Sequence, residues 1–174
     1  MSNSEEGVGR AGAVADFRSI GKVSVGQILG LIEAVDEVGG VADVATISKE
    51  VEMDVDRLGP IIDAAEFLGL VQVHEGDIRI TDLSRKLLHA SVHERKKIVR
   101  EIIDDVPLFR LVTDMARQAG RPLSRQEIVE ALAARVGSHQ AEDLFKALMY
   151  WGRYVELLRY DSGSEQVTLR TPSK

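Results

Sequence analysis

The spacing of apolar residues changes abruptly at Gly69, and that change limits what the first half of the chain can fold into. Before it, Val25, Ile28, Leu29, Ile32 and Val35 recur at the interval that lays one stripe along a helix. Ser24 and Gln27 form a capping box for its first turn. Gly39-Gly40 ends this helix. A shorter one is expected from about Asp43 to Val51, with Val44, Ile47 and Val51 on one face. Asp54 is placed to cap a third, whose stripe is Val55, Leu58, Ile61, Ile62, Ala65 and Leu68. Pro60 removes a backbone donor from that helix, so it should begin late or bend near Gly59. After Gly69 the period falls from about 3.6 to 2. Leu70–Val73 and Ile78–Ile80 flank the turn Glu75-Gly76-Asp77, the signature of a β-hairpin. Three helices followed by a hairpin spell a winged helix-turn-helix. Thr81 or Asp82 then caps a short helix carrying Leu83, Leu87 and Leu88, which closes a first module at residues 23–90.

The same order returns further on. A capping box at Ser91 and Glu94 opens a connector helix, residues 91–106, with Ile98, Val99, Ile102, Ile103 and Val106 inward and Arg95, Lys96, Lys97 and Arg100 outward. Pro107 suits the first turn of the next helix, which carries Leu108, Leu111, Val112 and Met115 to Gly120. Arg121-Pro122 is a turn. A capping box at Ser124 and Glu127 starts a helix bearing Ile128, Leu132 and Val136 that ends at Gly137. Ser138 is placed to cap a longer one with Leu144, Phe145, Leu148, Trp151 and Val155 buried. Strands at Leu157–Tyr160 and Gln166–Arg170 make a second hairpin around Asp161-Ser162-Gly163-Ser164, completing a second module at residues 107–171. The expected fold is mainly α with two small β-hairpins: tandem winged helix-turn-helix modules joined by a helix. The repeat lies in the order of elements and not in residue identity. Residues 1–22 mix Ser, Gly, Ala and acidic groups without periodicity and read as a flexible leader, with Phe17 and Ile20 placed to tuck against the body.

Composition removes much chemistry. With no cysteine among 174 residues there is no disulfide framework, no thiolate metal site and no thiol nucleophile. No apolar run approaches the roughly 18 residues of a membrane span. The start MSNSEEGVGR also lacks the basic opening and hydrophobic middle of a secretory signal, so a cytoplasmic location is expected. Gly21-Lys22 hints at a phosphate-binding loop, but Asp16 stands where its first glycine belongs and Val23 where its hydroxyl belongs. His89 and His93 have the i, i+4 spacing of a metal pair. The Ser91 cap between them implies a helix break instead, and neither a third ligand nor a catalytic glutamate accompanies them. The reading is a protein that is not an enzyme, with no cofactor and no metal.

Charge weighs against nucleic acid. The net charge is −6, and residues 1–90 carry 8 basic and 16 acidic side chains against 14 and 12 in residues 91–174. A winged helix that reads DNA needs a basic third helix and wing, because phosphate contacts supply most of the affinity. Residues 54–69 instead hold Asp54, Asp56, Asp63 and Glu66 against Arg57, and the first hairpin adds Glu75 and Asp77 against Arg79. Residues 138–156 hold Glu142, Asp143 and Glu156 against Lys146 and Arg153. Only Arg95-Lys96-Lys97 with Arg100 is basic, a pattern that a solvated helix face also explains. The cluster Tyr150-Trp151-Gly152-Arg153-Tyr154 concentrates aromatic residues. Trp151 and Val155 fall on the core face, while Tyr150, Arg153 and Tyr154 fall on neighbouring faces where an arginine can cover a ring or anchor a partner. Gly152 inside this helix points to close approach by another backbone.

Four segments carry a family resemblance: SVGQILGLIEAV at 24–35, IIDAAEFLGLVQVHEGDIRIT at 61–81, HERKKIVREIIDDVPLF at 93–109 and MYWGRYVELLRYD at 149–161. From about Val23 to Leu169 the chain resembles the C-terminal AAA-associated domain. That domain is found behind the ATPase subunit of ABC importers of the nitrate, sulfonate and bicarbonate type, and also as a separate protein. The resemblance implies an accessory or regulatory module and carries over no catalytic residues. The ATPase motifs themselves are absent from these residues, so the expected role is exercised in trans. It is a non-enzymatic interaction module for an ABC transporter ATP-binding subunit, as a homodimer, held at the inner face of the membrane only through that partner. Arg95, Lys96, Arg100, Tyr150, Arg153 and Tyr154 are the expected contact residues. The alternative is a transcriptional regulator that binds DNA through its winged helices and through Arg95, Lys96 and Lys97; a small-molecule sensor is a third reading with no particular residue behind it.

Overall fold

The structure, a computed structural model, describes residues 20–170. Most of the leader, with Phe17, lies outside the described residues; Ile20 at its end is buried, as is Val23. Two compact units divide the chain between Arg95 and Lys96. The protein is mainly helical, with two small three-stranded antiparallel sheets.

The first unit begins with α1 (Val25–Glu37), whose start is fixed as its sequence requires. Ser24 Oγ accepts from the Gln27 N–H at 3.1 Å, and Gln27 Oε1 accepts from the Ser24 N–H at 3.0 Å. Its buried face is Val25, Ile28, Leu31, Ile32 and Val35; Leu29 is only half-buried and Leu31 takes the place expected for it. Then come β1 (Val41–Asp43), α2 (Val44–Glu50) and α3 (Val55–Phe67). Two expectations for α3 are corrected here. The helix neither starts late nor waits for Pro60, which sits inside it and exposed, and the Asp54 side chain makes no capping bond. Val55 is 52% exposed, so the stripe begins at Leu58. In α2 only Ile47 is fully buried; Val44 and Val51 are half-buried.

The hairpin follows as β2 (Val71–His74) and β3 (Asp77–Ile80), with His74 opposite Asp77 across the two residues Glu75 and Gly76. Both have positive φ, 49° and 83°, as a two-residue hairpin turn of this hand demands. Strand β1 joins the other side of β3, with Val41 opposite Arg79, so the expected hairpin is in fact a sheet of order β1-β3-β2. Helix α4 (Asp82–His89) is capped by Thr81, and buries Ser84 and Leu87 beside α1. Ser84 is almost wholly buried because its hydroxyl donates to the Leu70 carbonyl.

Helix α5 (Val92–Asp104) starts with the expected reciprocal bonds between Ser91 and Glu94. The division between units falls within it. The second unit continues with α6 (Pro107–Ala119), β4 (Leu123–Ser124), α7 (Arg125–Val136), α8 (Ser138–Tyr154), β5 (Leu158–Asp161) and β6 (Gln166–Leu169). On α6 the core face is Leu108, Phe109, Val112, Thr113 and Ala116, which leaves Leu111 and Met115 half-buried. Ser124 and Glu127 form the expected capping box. Ser138, expected as a cap, is instead the first residue of α8, and Gly137 in the N-cap position makes no side-chain bond. Here too a short strand, β4, pairs with the hairpin, in the order β4-β6-β5.

Described separately, the two units use the same hydrogen bonds at the same joints. The first N–H of α2 reaches the loop of its hairpin, Val44 to the Gly76 carbonyl at 3.1 Å; that of α7 does likewise, Arg125 to the Glu165 carbonyl at 2.8 Å. Helices α3 and α8 end in the same reverse turn: Leu70 N–H reaches the Ala65 carbonyl and Leu157 N–H the Gly152 carbonyl, both at 2.9 Å. After each hairpin the chain returns to the same point, Thr81 N–H to Leu70 O at 3.2 Å and Arg170 N–H to Leu157 O at 2.7 Å. The order of elements and of strands is compatible with a winged helix-turn-helix in each unit.

Candidate interaction surface

Three of the four basic residues of α5 are partly buried, where the sequence presents all four as facing outward. Arg95, Lys96 and Arg100 are half-buried; Lys97 is exposed. The last turn of a helix leaves carbonyls without partners at the negative end of its dipole, where a cation is favoured. Each of the three meets such an end. Arg95 donates through Nε to the Leu87 carbonyl and through Nη2 to that of Leu88, both at 3.1 Å, at the end of α4. Arg100 donates through Nε and Nη2 to the carbonyl of Val155, the C-cap of α8, at 3.0 and 2.5 Å. Lys96 Nζ lies 3.4 Å from Glu156 Oε1, one residue further on. Glu156 has φ 59°, a left-handed conformation that in the first unit falls to Gly69 at φ 74°. The structure therefore brings Lys96 and Arg100 to the turn after Arg153 and Tyr154, and sets Arg95 in the other unit.

On α8, Trp151 and Val155 are buried as expected. Arg153 is exposed, Tyr154 half-buried, and Tyr150 44% exposed with its ring edge-on to Trp151 at 5.8 Å. Gly152 answers to a side chain and not to a backbone: a Cβ there would stand 2.7 Å from Leu158 Cδ1 and 2.8 Å from Leu158 Cβ. An arginine does cover an aromatic ring, but it is Arg125, 5.2 Å from the centre of Phe145. The Arg125 guanidinium also pairs with both oxygens of Glu142, and Tyr160 packs edge-on against Phe145 at 5.3 Å. This staple between α7, α8 and β5 joins residues far apart in the chain, and no spacing in the sequence announces it.

Beyond Ser138 at its start, the exposed residues of α8 are His139, Asp143, Lys146, Tyr150 and Arg153, which form one seam flanked by the half-buried Gln140, Glu142 and Tyr154. On α3, Asp54, Asp56, Arg57, Asp63 and Glu66 are exposed, and Glu66 Oε2 accepts from the Val73 N–H of β2 at 3.0 Å, tying an anionic side chain to the hairpin edge. At the hairpin, His74, Glu75, Asp77 and Arg79 are exposed. Neither unit offers phosphate a concentrated positive surface on its third helix.

Asp43 and Glu127 titrate below the ordinary carboxyl range, each through the hydrogen bonds of a helix start. The Thr46 N–H and hydroxyl lower Asp43, which starts α2. The Arg121 guanidinium, at 2.7 Å, together with the Ser124 N–H, lowers Glu127 to about 2, and Glu127 in turn raises Arg121. His89 ends α4 and His93 opens α5, on either side of the Ser91 cap. Among the described residues no three His, Asp or Glu side chains come together as metal ligands, and no helix is long and apolar enough to cross a membrane.

No curated protein and no solved structure matches the chain. The family model described as the C-terminal AAA-associated domain matches residues 45–161, from α2 through β5 and so across both units. That match spans well over half of the sequence and includes the hairpin of the first unit, α5, and the staple and seam of α8; the chain belongs to the C-terminal AAA-associated domain family.

Proposed function

We propose that this chain is a non-enzymatic accessory module that regulates or supports the ATPase of an ABC transporter, docking on it in trans and residing at the inner face of the membrane through that partner. The family match over residues 45–161 carries the reading. Two physical observations favour a protein partner over a nucleic acid. Arg95, Lys96 and Arg100 of α5 are engaged at helix ends inside their own units, and the exposed face of α3 is acidic. Contact falls to Tyr150 and Arg153, exposed on α8, with Tyr154 beside them. Arg95, Lys96 and Arg100 act behind the surface by holding helix ends in place. Tyrosine and arginine are the side chains that most often anchor interfaces, and Arg153 lies in the last turn of a helix whose end Arg100 fixes.

The test is co-purification of the full chain with an ATP-binding subunit of a nitrate-, sulfonate- or bicarbonate-type importer from the same genome, followed by its ATP hydrolysis rate with and without the module. A stable complex, a changed rate, and loss of both in Tyr150→Ala/Arg153→Ala are expected. No association with any such subunit under gentle conditions, or tight duplex binding that falls steeply with salt, would sink the proposal.

A further inference from the structure

The exposed seam of α8 has a polarity that the transporter reading does not use. His139, Asp143, Lys146, Tyr150 and Arg153 follow one another at intervals of 4, 3, 4 and 3, and at about 100° per residue they keep within about 40° of one line along the helix. The single anion, Asp143, comes before both permanent cations, Lys146 at the middle of the helix and Arg153 in its last turn. Among the described residues neither Asp143 nor Lys146 has an ion-pair partner. The seam also bears Tyr150, the one large apolar residue described as exposed in the unit from Lys96 onward.

We propose that this seam is a homodimer interface, in which α8 of one copy lies antiparallel to α8 of a second. A seam with charge separated along its length is self-complementary only when turned end for end. Side by side in the same direction, Asp143 would face Asp143 and Lys146 face Lys146, and like charges opposed across an interface cost affinity. Reversed, each Asp143 meets a cation of the second copy twice over, by the two-fold symmetry of such a pair. The antiparallel arrangement also opposes the two helix dipoles favourably. Pairing Asp143 with Arg153 sets the two-fold axis near position 148, with the apolar anchor Tyr150 beside it and opposite Lys146 of the second copy. Five side chains cover less surface than a permanent dimer buries, so the two copies exchange rapidly.

This inference does not rest on the transporter reading, and its test needs no transporter. Sedimentation of the full chain across a dilution series up to about 200 µM should show a reversible dimer that weakens with salt. Asp143→Lys makes the seam wholly cationic and Lys146→Asp/Arg153→Asp makes it wholly anionic. Each variant alone should dimerise at least about tenfold more weakly, and an equimolar mixture should regain the dimer as a heterodimer. Circular dichroism identical to the parent establishes that these exposed changes leave the fold intact. A wild-type chain that stays monomeric at the highest concentration overturns the proposal, as does a dimer that neither variant weakens or a mixture that fails to restore it.

Discussion

Replacing Gly152 with alanine should destabilise the second unit, although the same change improves most helices. Alanine at a helix interior is worth about 1 kcal/mol over glycine. At Gly152 the new methyl would stand 2.7, 2.8 and 2.9 Å from Leu158 Cδ1, Cβ and Cγ, where carbon atoms rest at about 3.5–4.0 Å. Leu158 is 2% exposed and begins β5, and one of the three clashing atoms is its own Cβ, so relief requires strand backbone to move and not a side chain to turn. Overpacking of this kind costs about 1–3 kcal/mol, and the involvement of backbone puts it at the upper end, for a net loss of about 2 kcal/mol. Gly30 on α1 is the control: it is exposed, nothing lies within 4 Å of a Cβ there, and Gly30→Ala should gain up to about 1 kcal/mol. The chain has one tryptophan, Trp151, buried beside Gly152, so urea unfolding followed by its fluorescence reports on this site, and far-UV circular dichroism reports on Gly30. In a Leu158→Ala background two of the three clashing atoms are gone, and the penalty for Gly152→Ala should shrink in a double-mutant cycle. Equal stabilisation by Gly30→Ala and Gly152→Ala would refute the close approach of α8 and β5.

Two further outcomes follow from the helix ends. Glu127 is held at about 2 by Arg121 and the Ser124 N–H, below its unfolded value near 4.5; a depressed carboxyl stabilises the fold above the unfolded value and loses that contribution as pH falls toward 2. Glu127→Gln should therefore flatten the acid limb of thermal stability between about pH 4.5 and 2, and an unchanged limb would show that Glu127 is not so engaged. Arg100→Ala should lose about 1.5–3 kcal/mol by leaving the Val155 carbonyl to water, with Arg100→Lys recovering part of it through a single bond, measured by urea unfolding; a cost below about 0.5 kcal/mol would mean that α8 does not depend on this cap.

The elements were legible where their signals are local. The reciprocal caps at Ser24, Ser91 and Ser124 depend on residues three apart, and all three form. The first hairpin was legible because a glycine with positive φ sits between two runs of period 2. Strands β1 and β4 were not, because three and two residues are too short for any alternation to show, and they exist only by pairing with β3 and β6. Pro60 misled because the N–H that proline lacks is missed only where water cannot reach the carbonyl left without it, and there the helix face is open.

The candidate surface was read in part. Tyr150 and Arg153 are exposed as their spacing predicts, whereas Arg95, Lys96 and Arg100 were assigned to solvent by their own helix alone. A helical wheel shows which side chains point away from one stripe. It cannot show that another helix ends beside them with carbonyls in need of donors.

The sequence by itself determined the order of the helices, the three starts capped by Ser24, Ser91 and Ser124, the place of each hairpin and the shortage of positive charge on the third helices, since all of these follow from residues within a few positions of one another. Tertiary structure alone decided that Arg95, Lys96 and Arg100 of α5 are engaged at the ends of α4 and α8, that Gly152 makes room for Leu158, and which side of α8 stays exposed. Those facts depend on pairs some 6 to 60 residues apart, brought together by burial of the core and by the hydrogen bonds that helix ends must find.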